Sequence, residues 1–202
     1  MKSPLFPFLL AAVVTILIGV GVWMEPYFAG DVEIARAVQS AAPSPGWWAT
    51  PISRLAPAPA KYYVMVITLV LSFVVAGWRG LLITGGFLAL EQYGAEYTKV
   101  IFQRPRPSRE LIAVVGNPTG YTFPSTTITF FAVTFGSLAI LAARRPKAPA
   151  RWPIFAGAAI MLALGCLARV ALGAHWPSDV VLTTIICLSW IWATSRVVLK
   201  RG

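Results

Sequence analysis

Cationic side chains gather at the ends of three apolar stretches of this 202-residue sequence, together with an aspartate and the single histidine of the chain. Cations beside a bilayer cost free energy unless they are paired or functional, so several on one rim favour an anion site. A solvated basic rim that contacts lipid phosphates is the alternative. The residues concerned are Lys99, Arg104, Arg106, Arg109, Arg169, His175 and Asp179.

The residue types at this rim suit a phosphoryl group. Arginine presents a planar fork of donors to phosphate oxygens and lysine a compact charge, so Lys99, Arg106 and Arg169 could surround such a group and neutralise charge that develops in a transition state. Ser125 follows Pro124 at an expected helix start, where free N–H groups and the helix dipole favour an anion. An ordinary N-cap also explains Ser125, and the two roles are compatible.

His175 alone, next to Trp176, would be interpreted as a packed or interfacial residue. Asp179 changes this, because it lies one helical turn later in the run W-P-S-D. At this spacing the carboxylate could orient the ring and stabilise its cationic form. The alternative for Asp179 is an acid in the first helical turn that only favours the helix dipole.

The elements that must position these residues are apolar spans. The chain is 57% hydrophobic and 12% charged, about half the charge of a soluble domain, so lipid is the expected solvent. A helix needs about 20 apolar residues to cross the hydrocarbon core. We therefore predict a single all-α domain over residues 1–202 with six transmembrane helices. The predicted spans are residues 4–24, 61–78, 81–102, 125–143, 152–172 and 178–199.

The distribution of charge between loops predicts the orientation. One side of the bundle collects cations without carboxylates, which is typical of a cytoplasmic side. Both termini are then cytoplasmic, and the cationic rim lies on the non-cytoplasmic face of the cell membrane. The first span is expected to be a retained anchor, because no A-x-A site follows it. The predicted cytoplasmic cations are Lys2, Arg79, Arg144, Arg145, Lys147, Arg151, Arg196, Lys200 and Arg201.

Three motifs at the span ends have distinctive spacing. They are Lys99 followed after six residues by Arg106-Pro107, Pro124-Ser125 at the start of the fourth span, and Arg169 six residues before His175 and ten before Asp179. Together they resemble the signature motifs of the type 2 phosphatidic acid phosphatase (PAP2) family, whose superfamily includes the vanadium haloperoxidases. The first and third motifs are specific as a set, and the second is half matched.

The resemblance implies a lipid phosphatase that works without a metal or cofactor, since arginine, lysine and helix-end amides supply the positive charge. His175 would be the nucleophile that forms a phosphohistidine, with Asp179 as its orienting partner, and water would hydrolyse this intermediate. Lipid substrate and membrane lipids are the expected partners, and no continuous basic run suggests nucleic acid. The residues expected to bind the phosphate are Lys99, Arg106, Ser125 and Arg169. Arg104, Thr126 and Thr127 are uncertain members of the site.

The second motif departs from the family pattern, which usually reads P-S-G-H with the histidine as general acid. Here the run is P-S-T-T, and Thr127 cannot supply a proton near neutral pH. The serine of the third motif is also replaced, by Ala168, which is a smaller change. Without a general acid, a rate falls by about 10² to 10⁴, depending on the leaving group.

The missing acid favours a substrate whose leaving group needs no proton. An alkoxide, whose conjugate acid has a pKa of about 15.7, departs slowly, whereas a phosphate monoester, with a second pKa of about 6, departs readily. An isoprenoid diphosphate is therefore favoured over phosphatidic acid. Three alternatives stay open, namely an inactive PAP2-like protein that binds or transports an anionic lipid, a lipid phosphotransferase, and a sequence altered at position 127 to trap one state.

Two carboxylates lie within the third predicted span. Glu96 precedes Lys99 by three residues, so a helical ion pair is the simplest explanation. Glu91 is expected near mid-bilayer, where a protonated or hydrogen-bonded packing residue, for example with Tyr93, is the simplest interpretation. Either residue could line a lipid path.

Overall fold

The computed structural model describes residues 3–148 and 150–199, apart from the side chains of residues 95 and 96. Every regular element within this part of the chain is helical, which confirms the predicted all-α fold class. The elements are α1 (Phe6–Met24), α2 (Asp31–Ala41), α3 (Ala49–Ser53), α4 (Ala60–Phe102), α5 (Thr126–Phe131), a π-helical turn (Ala132–Gly136), α6 (Ser137–Arg144), α7 (Arg151–Ala171) and α8 (Pro177–Val198).

Helix α4 reverses direction at Gly77 and forms a hairpin of two antiparallel arms. The backbone there has φ 62° and ψ −156°, a region that essentially only glycine adopts. Lys61 Nζ and Glu91 Oε2, which lie on different arms, are 3.0 Å apart, although 30 residues of straight helix would separate them by about 45 Å. The hydroxyls of Ser72 and Thr84 also meet across the hairpin, at 2.8 Å.

Five helices of the described residues are long and apolar enough to cross a membrane. They are α1, α4 up to residue 94, the continuous run Thr126–Arg144, α7 and α8. Their outer faces expose more large apolar side chains than the surface of a soluble protein does. Leu17, Ile67 and Ile160 are examples. The chain is a membrane protein. The hairpin in α4 agrees with two adjacent predicted spans, while the total of six crossings stays a prediction.

The two ends of the bundle are formed by different helix ends, and His175 lies at only one of them. At one end, the start of α1 lies beside the end of α8, where the rings of Phe8 and Trp190 are 6.3 Å apart. Arg144 Nη2 donates to the Leu199 carbonyl at 3.5 Å, which brings the end of α6 to the same place. His175 lies at the opposite end, where α7 ends and α8 begins.

The polar helix α2 covers this second end. Gln39 forms two hydrogen bonds with the backbone of Ala113, through Nε2 to the carbonyl at 2.7 Å and through Oε1 from the N–H at 3.2 Å. These bonds connect α2 to the long loop between α4 and α5. A buried apolar cluster joins α2 and this loop to the ends of the long helices. Its members are Ala35, Ile112, Ile128, Val170, Trp176 and Val180.

Candidate active site

His175 sits in a short loop that the neighbouring backbone holds closely. Gly173 has φ +64°, and a Cβ at that position would overlap the Ala113 carbonyl oxygen, so the approach requires glycine. The Val115 N–H donates to the Leu172 carbonyl at 2.9 Å. The imidazole is consequently fixed at the start of α8 and is only 2% exposed.

A threonine hydroxyl connects His175 to Asp179. Thr122 Oγ1 donates to Asp179 Oδ2 at 2.6 Å and lies 3.1 Å from His175 Nδ1. The direct separation between Nδ1 and Oδ2 is 3.9 Å, too long for a hydrogen bond. Because the hydroxyl proton is directed to the carboxylate, Thr122 accepts from Nδ1–H, which leaves Nε2 as the unprotonated nitrogen.

The free ring nitrogen faces Ser125. Ser125 Oγ lies 3.2 Å from His175 Nε2 and accepts the Ile128 N–H at 3.4 Å, so Ser125 is an N-cap of α5 that also touches the imidazole. Its own N–H donates to Thr183 Oγ1 at 3.2 Å, which fixes its backbone against α8. The two roles considered for Ser125 are therefore compatible in the structure.

Three cations from different elements surround this imidazole. Burial lowers the pKa of His175 well below its ordinary value, and the positive charges of Arg169, Arg106 and Lys99 lower it further. The ring is accordingly neutral and carries a lone pair near neutral pH. Arg106 is held by the site loops, since Nε donates to the carbonyls of Thr119 and Gly120 at 3.0 Å.

Arg104 lies behind the site and does not face a phosphate. Its guanidinium is fully buried between two carboxylates, pairing through Nη1 with Asp179 and through Nη2 with Asp31 at 3.5 Å. Asp31 also accepts from Ser178, at 2.8 Å from its N–H and 2.6 Å from its hydroxyl. This network holds Asp179 in place and connects α2 to the start of α8.

The sequence analysis missed Thr122 and Asp31. Thr122 lies two residues before Pro124, where the second motif begins, and Asp31 lies outside all three motifs. The available signal for Asp31 was its position at the start of a polar helix, and no local signal marked Thr122.

A polar cavity of about 630 Å³ lies between the start of α4, the start of α5 and the end of α7. Arg169, Thr126 and Thr127 line it, so the position that carries histidine in the family lies on its wall. Arg54 and Lys61 line it further along, together with Ser53, Glu91 and Gln92.

A second cavity, of about 410 Å³, is almost entirely apolar and lies among α1, α4, α5 and α8. Leu90, Phe102, Phe123 and Ile186 contribute to its walls. Glu91 lines both cavities, so it forms part of the wall of each.

Glu91 pairs with Lys61 and not with Tyr93, whose side chain is 76% exposed, so the interpretation based on Tyr93 is wrong. The expected ion pair of Glu96 with Lys99 lies outside the described side chains. Within residues 3–148 and 150–199, no group of three His, Cys, Asp or Glu side chains could hold a metal ion.

The structure is thus an all-helical membrane bundle with a buried imidazole whose pKa is lowered by three cations. The PAP2 superfamily matches residues 80–202, more than half of the chain, and the chain belongs to this superfamily. The resemblance predicted from the three motifs is confirmed.

One solved structure extends the similarity over nearly the whole chain. It is the first transmembrane PAP2 type phosphatidylglycerolphosphate phosphatase from Bacillus subtilis, with a TM-score of 0.66 and 20% sequence identity. The alignment covers 96% of this chain and 95% of that chain. At this identity the likeness establishes a shared fold. No curated protein matches the sequence.

Proposed function

We propose that this protein is a membrane lipid phosphatase that hydrolyses a lipid phosphate or diphosphate through a phosphohistidine on His175, with a diphosphate favoured. The observation that carries the proposal is the position of His175 Nε2, 3.2 Å from Ser125 Oγ, in a buried ring whose pKa is lowered by Arg169, Arg106 and Lys99. Membership of the PAP2 superfamily supports a phosphatase.

In the proposed reaction, Lys99, Arg106 and Arg169 bind the oxygens of the terminal phosphoryl group, and Ser125 Oγ adds a further donor. His175 Nε2 attacks phosphorus, and the bond from phosphorus to the leaving oxygen breaks with its electron pair on that oxygen. The ring becomes cationic, and the path from Nδ1–H through Thr122 to Asp179 stabilises it. Water then attacks the phosphorus, inorganic phosphate departs, and the neutral ring is regenerated.

The preference for a diphosphate follows from Thr127. Its hydroxyl does not donate a proton near neutral pH, so the leaving oxygen must accept the electron pair unaided. A departing lipid monophosphate spreads this charge over its phosphate oxygens, whereas an alkoxide does not. The apolar cavity, which reaches Phe123 beside the second motif, is suited to the lipid chain.

The test is phosphate release by the purified protein in detergent. We expect a long-chain isoprenyl diphosphate to react at least about tenfold faster than phosphatidic acid, and His175→Ala to abolish release from both. Thr134→Val is a suitable control, because this buried hydroxyl only bonds within its own helix. Equal or reversed rates would contradict the diphosphate preference, and turnover by His175→Ala would contradict the nucleophile.

A second variant separates the enzyme from an inactive lipid-binding protein. Thr127→His restores the imidazole of the family motif. Release of phosphate by Thr127→His but not by the natural sequence would identify the chain as a binding protein, whereas turnover by both supports the proposed phosphatase.

A further inference from the structure

The polar cavity continues beyond the phosphate site to two cations that belong to none of the three motifs. Arg54 follows α3, and Lys61 lies in the first turn of α4. Both line the same cavity as Arg169 and Thr127, so one space contains these two cations, a cation of the third motif and the last residue of the second motif.

Three buried polar atoms on residues that line this cavity have no hydrogen-bond partner within the described part of the chain. One is the acceptor Glu91 Oε2, which is ion-paired with Lys61, and the other two are the donors Ser53 Oγ and Arg169 Nε. Buried donors without acceptors are costly and rare in folded proteins. Both atoms can donate a hydrogen bond, so the ligand that completes the cavity should carry several acceptor oxygens.

The charge of the cavity also favours an anion. Arg54, Lys61 and Arg169 oppose the single carboxylate of Glu91. Lys61 Nζ is held in place by Glu91 Oε2 at 3.0 Å and Gln92 Oε1 at 2.9 Å. Lys61 Nζ also donates to Glu91 Oε1 at 3.3 Å, so the position of this ammonium on the cavity wall is fixed.

We infer that Arg54 and Lys61 form a second phosphate subsite, which binds the phosphate next to the leaving oxygen of a lipid diphosphate. This inference rests on the proposed function and explains how the site works with Thr127. When the bridging P–O bond breaks, the electron pair stays on the departing lipid monophosphate, and the two cations stabilise it without proton transfer. The lipid chain is placed in the apolar cavity, which shares Glu91 with the polar one.

The kinetic test compares Arg54→Gln with Arg36→Gln. Arg54 is exposed, so its replacement spares the fold. Arg36 lies at the same end of the bundle but bonds to the Leu111 carbonyl and does not line the cavity. For Arg54→Gln we expect the ratio of KM for an isoprenyl diphosphate to KM for the matching monophosphate to rise about tenfold, typical of one lost charged hydrogen bond. Arg36→Gln should leave this ratio within twofold. An unchanged ratio in Arg54→Gln overturns the subsite.

A binding test does not depend on turnover. We expect methylenebisphosphonate to raise the Tm of the purified wild-type protein more than methylphosphonate does, and Arg54→Gln to remove this difference. If the difference persists in Arg54→Gln, the subsite is wrong even when phosphate release is normal. If it depends on Arg54 but no lipid is hydrolysed, the subsite stands and the proposed phosphatase function fails.

Discussion

Thr122 separates the proposed nucleophile from its carboxylate, and its hydroxyl bonds to both. Replacing it by valine keeps the shape but leaves Nδ1–H and Asp179 Oδ2 without their common partner. We expect Thr122→Val to lower kcat by about 10- to 100-fold, the usual cost of losing an orienting partner, and to change KM little. Thr122→Ser keeps the hydroxyl and should recover most of the rate. The measurement is kcat and KM with an isoprenyl diphosphate, over a range of pH.

The matched control is Thr134→Val, which removes a buried hydroxyl that donates to the Phe130 carbonyl at 2.7 Å. Its rate should stay within about twofold of wild type, as expected for a substitution away from the site. If Thr122→Val behaves like Thr134→Val, or if Thr122→Ser is as slow as Thr122→Val, the hydroxyl does not connect the two residues.

The lowered pKa of His175 predicts how the resting protein responds to acid. An unfolded histidine has a pKa of about 6.5, and burial and the nearby cations hold the folded value well below it. Between the two values the unfolded chain binds a proton that the folded chain excludes. This contribution to the free energy of unfolding is therefore constant above about pH 6.5 and falls below it, by at most about 1.4 kcal/mol per pH unit.

Thermal unfolding in phosphate-free detergent buffer from pH 7.5 to 5 checks this. His175→Gln, which has no titratable ring, should lose less stability than wild type as the pH falls. All other titratable groups are common to the two proteins, so their contributions cancel in the comparison. Parallel curves for the two proteins would show that the ring is not held neutral.

The sequence predicted that Lys99, Arg106 and Arg169 lie near His175, and the positive charge of each lowers the pKa of this ring in the structure, while their role in binding phosphate stays a prediction. Each belongs to a motif at the end of a helix, and the helix ends converge. The sequence was insufficient for Thr122 and Asp31, whose partners lie 53 and 147 positions away along the chain. Such contacts depend on how the loops fold over the helix ends, and no local spacing reports them.

The hairpin in α4 brings Lys61 to Glu91 and so forms the far wall of the polar cavity. Its reversal depends on the φ of +62° at Gly77, a conformation that costs a residue with a Cβ about 1–3 kcal/mol. We expect Gly77→Ala to lower the free energy of unfolding by that amount and to weaken binding of methylenebisphosphonate. Thermal unfolding and ligand-induced Tm shifts in detergent measure both effects.

Gly86→Ala is the control for the hairpin. Gly86 lies in the second arm, and a Cβ there meets no atom within 4 Å. Since alanine is favoured over glycine in a helix by about 1 kcal/mol, this variant should be as stable as wild type or more so. Equal stability of Gly77→Ala and Gly86→Ala would show that the turn tolerates a side chain.

Hydropathy predicted the helices to within two residues at most ends but placed this turn slightly late. Apolar residues run to Trp78 and the charge appears at Arg79, so the predicted break fell at residues 79–80. The backbone turns earlier, at Gly77, because the reversal requires a conformation that only glycine adopts easily. The polarity of the side chains indicates where a span leaves the lipid. The residue at which the chain turns is determined by which residue can adopt the required backbone angles.

The two ends of the bundle carry different sets of charged residues. In the described part of the chain, the end opposite His175 carries cations without carboxylates, namely Arg79, Arg144, Arg145, Lys147, Arg151 and Arg196. The end that holds His175 combines cations with Asp31, Glu33, Glu110 and Asp179. Short loops rich in Lys and Arg stay in the cytoplasm. We therefore propose that the imidazole end faces away from the cytoplasm, and substrate would reach it from that face.

Cysteine labelling in intact cells tests this orientation. In a Cys166→Ala, Cys187→Ala background, Glu110→Cys and Lys147→Cys place single thiols at exposed positions on opposite ends of the bundle. A membrane-impermeant maleimide should label Glu110→Cys in intact cells but Lys147→Cys only after permeabilisation, because the bilayer separates the two ends. Both variants should release phosphate at the rate of the Cys166→Ala, Cys187→Ala background, since neither Glu110 nor Lys147 lines the cavities, whereas Cys187 lines the apolar one. The reverse labelling pattern would place the site in the cytoplasm and require a substrate supplied from that side.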